Sequence, residues 1–343
     1  MAIGNIPARK RGFGYDPVTR SLGVYVDGAL TASFPPTPGR TYFVNNITGA
    51  STNDGLSWGT AMDEVSTAIT ASTTYRELGG VESGSAVTTN DYVRNTIVVQ
   101  GTGTAYTYLV DLGKHHNIVG LCQPTGGRGA GTLYGGVRLG ADTANTTGGF
   151  VSTASSTQAC RSVYLANLKF LSGHTAVCFS AYQFEESVME DCACYVAASP
   201  TGTPAAYIEI QTSGGCDSST FRRIHTGSHG AYTDRATVGF IINAAFFINT
   251  IVEDCCIGGG VHAWRAPVGV THGYGSIVRN NFFGNIGQGT CQVGILDEST
   301  RTADNGGLIT YYNNFIDATD PMAITTDFTR CVMNYAESAV LTS

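Results

Sequence analysis

The chain is short of charge, of lysine and of long apolar runs, and each shortage excludes a class of protein. Asp, Glu, Lys and Arg make up 13% of its 343 residues, about half the ~25% of an average soluble domain. With 42% hydrophobic residues and a formal net charge of −7, it lacks the low hydrophobicity and high net charge of a disordered chain. Lysine occurs only at Lys10, Lys114 and Lys169, which is too few for the composition of a coiled coil or helical bundle. No run of about 18 apolar residues is available for a transmembrane helix, so no membrane partner is expected. The 19 basic and 26 acidic residues match nucleic acid poorly, because its binding rests on phosphate neutralisation.

What is abundant points to β structure. There are 44 glycines, nearly twice the average share. The start, Met1-Ala-Ile-Gly-Asn followed by Arg9-Lys10-Arg11, lacks the apolar stretch of a secretory signal. The ten cysteines are therefore expected as thiols, not as a disulfide framework. Cys192, Cys194, Cys255 and Cys256 sit inside apolar patterns, where a free Cys behaves as a small hydrophobe.

Residues 1–39 differ from the rest. They hold Arg9, Lys10, Arg11 and Arg20, three clustered prolines, and a hairpin pattern over Ser21–Leu30 around Asp27-Gly28, a pair that tolerates positive φ. The expectation is an extended arm whose basic residues anchor the chain to an acidic partner surface. Thr41–Val44 reads as a strand. Thr60-Ala-Met-Asp63 has the form of a capping box, and Ala61, Met62, Val65, Ala68 and Ile69 follow helical spacing, predicting a short helix over about 60–72. Residues 96–101, 106–112 and 117–121 read as strands, rich in β-branched residues.

Beyond residue 160 a repeat can be written down. Six segments run strand, then Asn, Asp or once Arg, then an apolar residue. The polar column is Asn167, Asp191, Arg223, Asp254, Asn281 and Asn314. The apolar marker beside it is Leu168, Cys192, Ile224, Cys255, Phe282 and Phe315, with spacings of 24, 32, 31, 27 and 33. Such periods imply a solenoid or another repeat array. Two or three short strands per interval, with no helix between, predict an all-β parallel β-helix with coils over about 95–320 and a C-terminal cap over 320–343. Its polar column would sit at a tight turn, since Asn and Asp tolerate left-handed backbone, and its apolar column would stack inside.

Tyr42-Phe-Val-Asn-Asn, Asn53-Asp-Gly-Leu-Ser-Trp58-Gly-Thr-Ala-Met62, Leu109-Val-Asp-Leu112 and Asn117-Ile-Val-Gly-Leu121 resemble the amino-terminal part of pectate-lyase-like right-handed β-helix proteins. There a short helix plugs the open end of the solenoid. A β-helix of this size with an N-terminal arm resembles bacteriophage virion proteins, both tailspikes and capsid-decoration or head-fibre proteins. The resemblance implies a homotrimer on the particle, partnered by a major capsid or tail protein, with host-surface polysaccharide as a candidate ligand. The chain ends soon after Asp320-Pro321, which leaves no room for a tailspike's further trimerisation module. The expected function is therefore a non-enzymatic virion surface protein. The alternative is a tailspike-type polysaccharide hydrolase or lyase.

Glycan cleavage would need carboxylates about 5–9.5 Å apart. Glu190 and Glu253, with Arg222 between, fall in one column, and Asp191, Arg223 and Asp254 repeat the alternation. No catalytic residue is assigned: Glu190, Glu253 and Arg222 are only weak candidates, because alternating charge is how a stacked face avoids like-charge neighbours. Asp297-Glu298 lies in a polar insertion, where binding residues tend to sit, and Tyr311 and Tyr312 could stack on sugar rings. His115-His116 lacks an acidic or Cys partner at ligand spacing, so neither a metal nor a cofactor is expected.

Overall fold

The structure is a computed structural model. It describes residues 11–16, 21–26, 29–33, 39–78, 93–121, 136–140, 148–152, 160–172, 175–196, 203, 205–228, 236–268, 270, 273–284, 291–299, 309–324, 330–336 and 339–341. The chain is all-β apart from one α-helix and a 3-10 turn among these residues. Three long sheets of ten, nine and nine strands dominate, and their strands pair in parallel except for the last one, Ala339–Leu341. The chain visits the three in rotation: Tyr164–Ala166 in the first, Leu168–Ser172 in the second, Phe179–Glu185 in the third, then Val188–Glu190 in the first again. Each circuit lays its strands beside those of the circuit before, an arrangement compatible with a β-helix.

The first sheet shows how the sequence imposes this path. Its strands are three or four residues long where the repeat is clearest, and left-handed residues bracket them. Ser162 and Asn167, Glu186 and Asp191, Ser218 and Arg223, Asn249 and Asp254, and Gly275 and Asn280 all have φ between 47° and 74°. Left-handed backbone costs an L-residue about 1–2 kcal/mol and is eased by Asn or Asp. The chain turns sharply at each, and the interval of five stays fixed while whole circuits vary in length. Between these corners Leu165, Met189, Phe221, Val252, Val278, Tyr311 and Cys331 are successive partners and all point into the core.

The main core is a continuous cluster running the length of the stack, with two small satellites around Phe43 and Tyr195. A spine of rings holds its centre: Phe150, Phe179, Phe184, Phe221, Phe240 and Trp264, with centroids 4.9 to 5.9 Å apart. The contacts are tilted or edge-on, except for Phe240 stacked on Trp264, and ring pairs of this kind add about 0.5–1.5 kcal/mol each beyond burial. Nine cysteines are described, all free and eight of them buried. Desolvation pushes the thiols of Cys192, Cys216 and Cys255 up to about 12, so they remain protonated packing groups.

Several expectations need correction. The α-helix spans Val65–Glu77, not 60–72, and Thr60 ends a 3-10 turn capped by Ser57. Met62 explains the delay: it bridges Val44 in parallel, with its N–H donating to the Phe43 carbonyl at 2.9 Å. The backbone there serves the sheet and cannot yet begin a helix. Residues 106–112 make isolated bridges from Tyr106 to Leu139 and from Leu109 to Phe150, not a strand. At the far end, the repeat passes residue 320. Arg330–Val332 and Asn334–Ala336 continue the first and second sheets, and only Ala339–Leu341 reverses direction. Within the expected arm, Arg11–Asp16, Ser21–Val26 and Ala29–Ser33 form an antiparallel three-stranded sheet. Of the anchor residues, Arg11 begins its first strand, while Arg9, Lys10 and Arg20 lie outside the described residues, as does the turn Asp27-Gly28.

The polar column also needs correction at two places. Asn167, Asp191, Arg223 and Asp254 occupy the left-handed corner, but Asn280 and Asn313 follow them there, and not Asn281 and Asn314. The latter two sit one position on, fully or almost fully buried, in the interior column that begins Leu168, Cys192, Ile224 and Cys255. Phe282 and Phe315 accordingly leave the interior. They face outward from the second sheet, stacked on each other at 5.6 Å, and Phe315 is 43% exposed.

Candidate functional site

The outer face of the first sheet brings the predicted carboxylates and arginines together. Glu190, Arg222, Glu253 and Arg279 are directly paired on successive strands. Neighbouring strands lie about 4.8 Å apart, so Glu190 and Glu253 are two such steps apart with Arg222 between. The corner column places Asp191, Arg223 and Asp254 alongside.

These groups are engaged with one another. Arg222 donates to Glu190, and its other terminal nitrogen lies 4.0 Å from Glu253. Arg279 Nη2 is 2.6 Å from Glu253 Oε2. Arg223 reaches both rungs, 2.7 Å from Asp191 and 3.1 Å from Glu190. The Tyr164 hydroxyl also donates to Glu190. The side chains of Glu190 and Glu253 are only 11% and 14% exposed, whereas the three arginines lie over them at 38–42%. Burial pushes the Glu190 carboxyl up, but the hydrogen bonds from Tyr164 and Arg222 and the positive charge of Arg222 and Arg223 outweigh it and hold it below its ordinary value.

A general acid in glycan hydrolysis needs a raised pKa and a proton to give. Glu190 is held ionised, and both carboxylates accept charge-assisted hydrogen bonds from guanidiniums. The arrangement is the chemistry of a closed ion-pair ladder. Arg279 completes it, and sequence reasoning missed that residue because the repeat was aligned one position late in that circuit.

Other candidates resolve differently. Tyr311 is buried, accepting from Trp264 Nε1 at 3.0 Å and donating to Asp297 Oδ2 at 3.0 Å, so it cannot stack on a sugar ring. Asp297 is likewise buried, its other oxygen bonded by Ser299, while Glu298 pairs with Arg265 at 3.1 Å. Tyr312 is 38% exposed. Glu186 accepts from Arg161 and Ser162 at the opposite corner. Among the described residues no group of three or more His, Cys, Asp or Glu side chains could hold a metal ion, and no helix is long and apolar enough to cross a membrane.

The interior column at the same corner carries a feature the sequence did not reveal. At this corner the N–H groups of Cys255, Asn281 and Asn314 are met by side chains of the following circuit. Those side chains belong to Asn281, Asn314 and Asn334. Asn281 Oδ1 accepts from the Cys255 N–H, Asn314 Oδ1 from the Asn281 N–H, and Asn334 Oδ1 from the Asn314 N–H, all at 2.9–3.0 Å. Their amide nitrogens donate to the carbonyls of Val252, Val278 and Tyr311 at 2.9–3.0 Å. Comparison with known proteins adds nothing to the geometry: no family model, curated protein or solved structure matches the chain.

Proposed function

We propose that this chain is a non-enzymatic structural protein of a bacteriophage particle surface, of the capsid-decoration, cement or head-fibre type. In this reading the three sheets wind as a right-handed parallel β-helix, three copies associate, and residues 1–39 attach the trimer to a major capsid or tail protein. The flank of the stack then faces the host and can engage its surface polysaccharide. The observation that carries the reading is the closed ladder on the first sheet: its carboxylates are spent on arginines, which suits a scaffold and not a proton donor. The resemblance of residues 41 to about 320 to pectate-lyase-like β-helix proteins and the antiparallel sheet within residues 11–33 support it.

The test is attachment. Deleting residues 1–39 is expected to leave a folded trimer that no longer decorates particles, with sedimentation and particle co-purification as readouts. A truncated chain that still decorates particles overturns the anchoring role. Release of reducing or unsaturated sugar from host-surface glycan by the intact protein overturns the non-enzymatic reading in favour of a tailspike-type depolymerase.

A further inference from the structure

At the N-terminal end of the stack the helix Val65–Glu77 packs against the strands Thr41–Val44 and Asn95–Gln100 and buries Val65, Ala68, Ile69, Ser72 and Arg76. A helix of this length is marginal alone in water, so its order depends on docking. The apolar part of the contact lies in its first two turns. Beyond that the helix is held by a polar knot: Ser72 Oγ lies 2.7 Å from His116 Nδ1, and Asn95 Nδ2 donates to both the Ser72 hydroxyl and its carbonyl at 2.8 Å. His116 begins the strand His116–Leu121 of the first sheet and is fully buried.

Among the described residues its other ring nitrogen, Nε2, has no hydrogen-bond partner. The backbone of Gly113, at φ 64°, closes over that nitrogen so tightly that a Cβ there would come within 2.5 Å of it. In either neutral tautomer one nitrogen bonds Ser72 and the other is bare. Protonation would place a second N–H, and a full charge, in a site where the described residues offer it no acceptor. The charged groups acting on the ring are Arg76 on the helix, Arg94 before the next strand, and the neighbouring His115. All carry the sign that opposes an imidazolium. A buried charge without a partner is among the costliest arrangements a fold can hold.

We propose that His116 is an acid-released latch: the helix docks only on the neutral imidazole, and protonation detaches it and opens the end of the stack. Burial, reinforced by those three groups, holds the ring down to about 3 while docked, against an ordinary 6.5. A histidine lowered in the closed state costs nothing above 6.5. Below it, closure weakens about tenfold per pH unit until the closed-state value is reached.

The experiment is hydrogen exchange of the intact protein between pH 7 and 4.5, corrected for intrinsic rates, comparing the amides of 65–77 with those of the strands at 188–190 and 220–222. The expected result is an opening constant for the helix that rises about 100-fold at pH 4.5, while the two strands change little. In His116→Asn, which keeps a hydrogen-bonding atom near Ser72 but does not titrate, the rise is expected to vanish. An equal rise in the variant, or the same rise across all circuits, overturns the latch. Should the variant fail to fold, the imidazole resonances of the unaltered protein decide. A ring that stays neutral to below pH 5 while the helix is docked supports the proposal, and one that titrates near 6.5 without loss of the helix overturns it.

Discussion

The corner between the first and second sheets is built in two ways along one molecule. In the middle circuits its inner column is Cys192, Ile224 and Cys255, and its outer column is Glu190, Arg222 and Glu253. In the last circuits the inner column is Asn281, Asn314 and Asn334, and the outer one runs from Arg279, which still pairs with Glu253, to Tyr312 and Val332. The backbone is the same in both, since Asp191, Arg223, Asp254, Asn280 and Asn313 all hold φ between 51° and 55°. What differs is how the inward N–H and C=O left by the turn are satisfied. The thiols of Cys192 and Cys255 lie 3.8 and 3.7 Å from the carbonyls of Leu165 and Phe221 and, closer, 3.2 Å from those of Glu190 and Glu253, and Cys255 Sγ takes the Ile224 N–H at 3.4 Å. The asparagines make the equivalent contacts at about 3 Å. A thiol is a weak donor and acceptor where an amide is strong in both roles. The middle circuits compensate outside, through ion pairs; the last circuits do so inside, through amides.

That comparison can be broken most sharply at Asn314. Replacing it by Leu removes an acceptor from the Asn281 N–H and amide and a donor from the Val278 carbonyl. Each buried group left unpaired costs about 1–3 kcal/mol, so a loss of about 3–5 kcal/mol is expected in chemical denaturation. A loss no greater than that of Cys255→Ala, which forfeits the weak thiol bonds to the Ile224 N–H and to the carbonyls of Phe221 and Glu253 and a small volume at about 1–2 kcal/mol, would erase the distinction between the two halves.

The outer ladder comes next. Arg222→Met leaves Glu190 mostly buried with Tyr164 and Arg223 as its remaining partners, and a loss of about 1–3 kcal/mol is expected. The ladder also carries a pH signature. A carboxyl held below its ordinary value of 4.5 stabilises the fold fully above that value, and the contribution fades as pH falls through the lower folded-state value. Acid titration of stability should therefore be shallower in Glu190→Gln than in the unaltered chain below about pH 4.5. Equal slopes would mean that the ladder is decorative.

Smaller still is the change from one half to the other. Cys255→Asn would extend the amide column by one circuit, and a gain of up to about 1 kcal/mol is expected from the stronger bonds to Phe221 and Ile224. On the exposed side, Phe315→Ser should move stability by no more than about 0.5 kcal/mol, because its ring rests on Phe282 outside the core. A larger loss would show that the outer rings carry weight comparable to the ladder.

Much of this was open to reading in advance, and the misreadings have a common origin. β-branched strands, glycine corners and the recurrence of Asn or Asp followed by an apolar residue mark the circuits in the linear chain. So does the alternation of Glu190, Arg222 and Glu253. Asn280-Asn281 and Asn313-Asn314 defeat the same logic because each pair offers two residues suited to a left-handed corner. Only the cross-strand pairing of Arg279 with Glu253 and Tyr312 with Arg279 decides which one turns and which one points inward. A slip of one residue exchanges the two faces of a strand, which is why Phe282 and Phe315 were expected inside and Arg279 was overlooked. The helix boundary failed similarly, since a capping pattern is local and the bridge of Met62 to Val44 is not.

Composition and periodicity alone determined that the chain is β-rich, repetitive, thiol-bearing and sparsely charged, because those properties follow from which residues recur and how often. The tertiary structure decided which member of each pair faces the core, that the carboxylates are closed by arginines on neighbouring circuits, and that His116 meets Ser72 across 44 residues of sequence. Such contacts depend on strand register, and register is settled only when the circuits lie side by side.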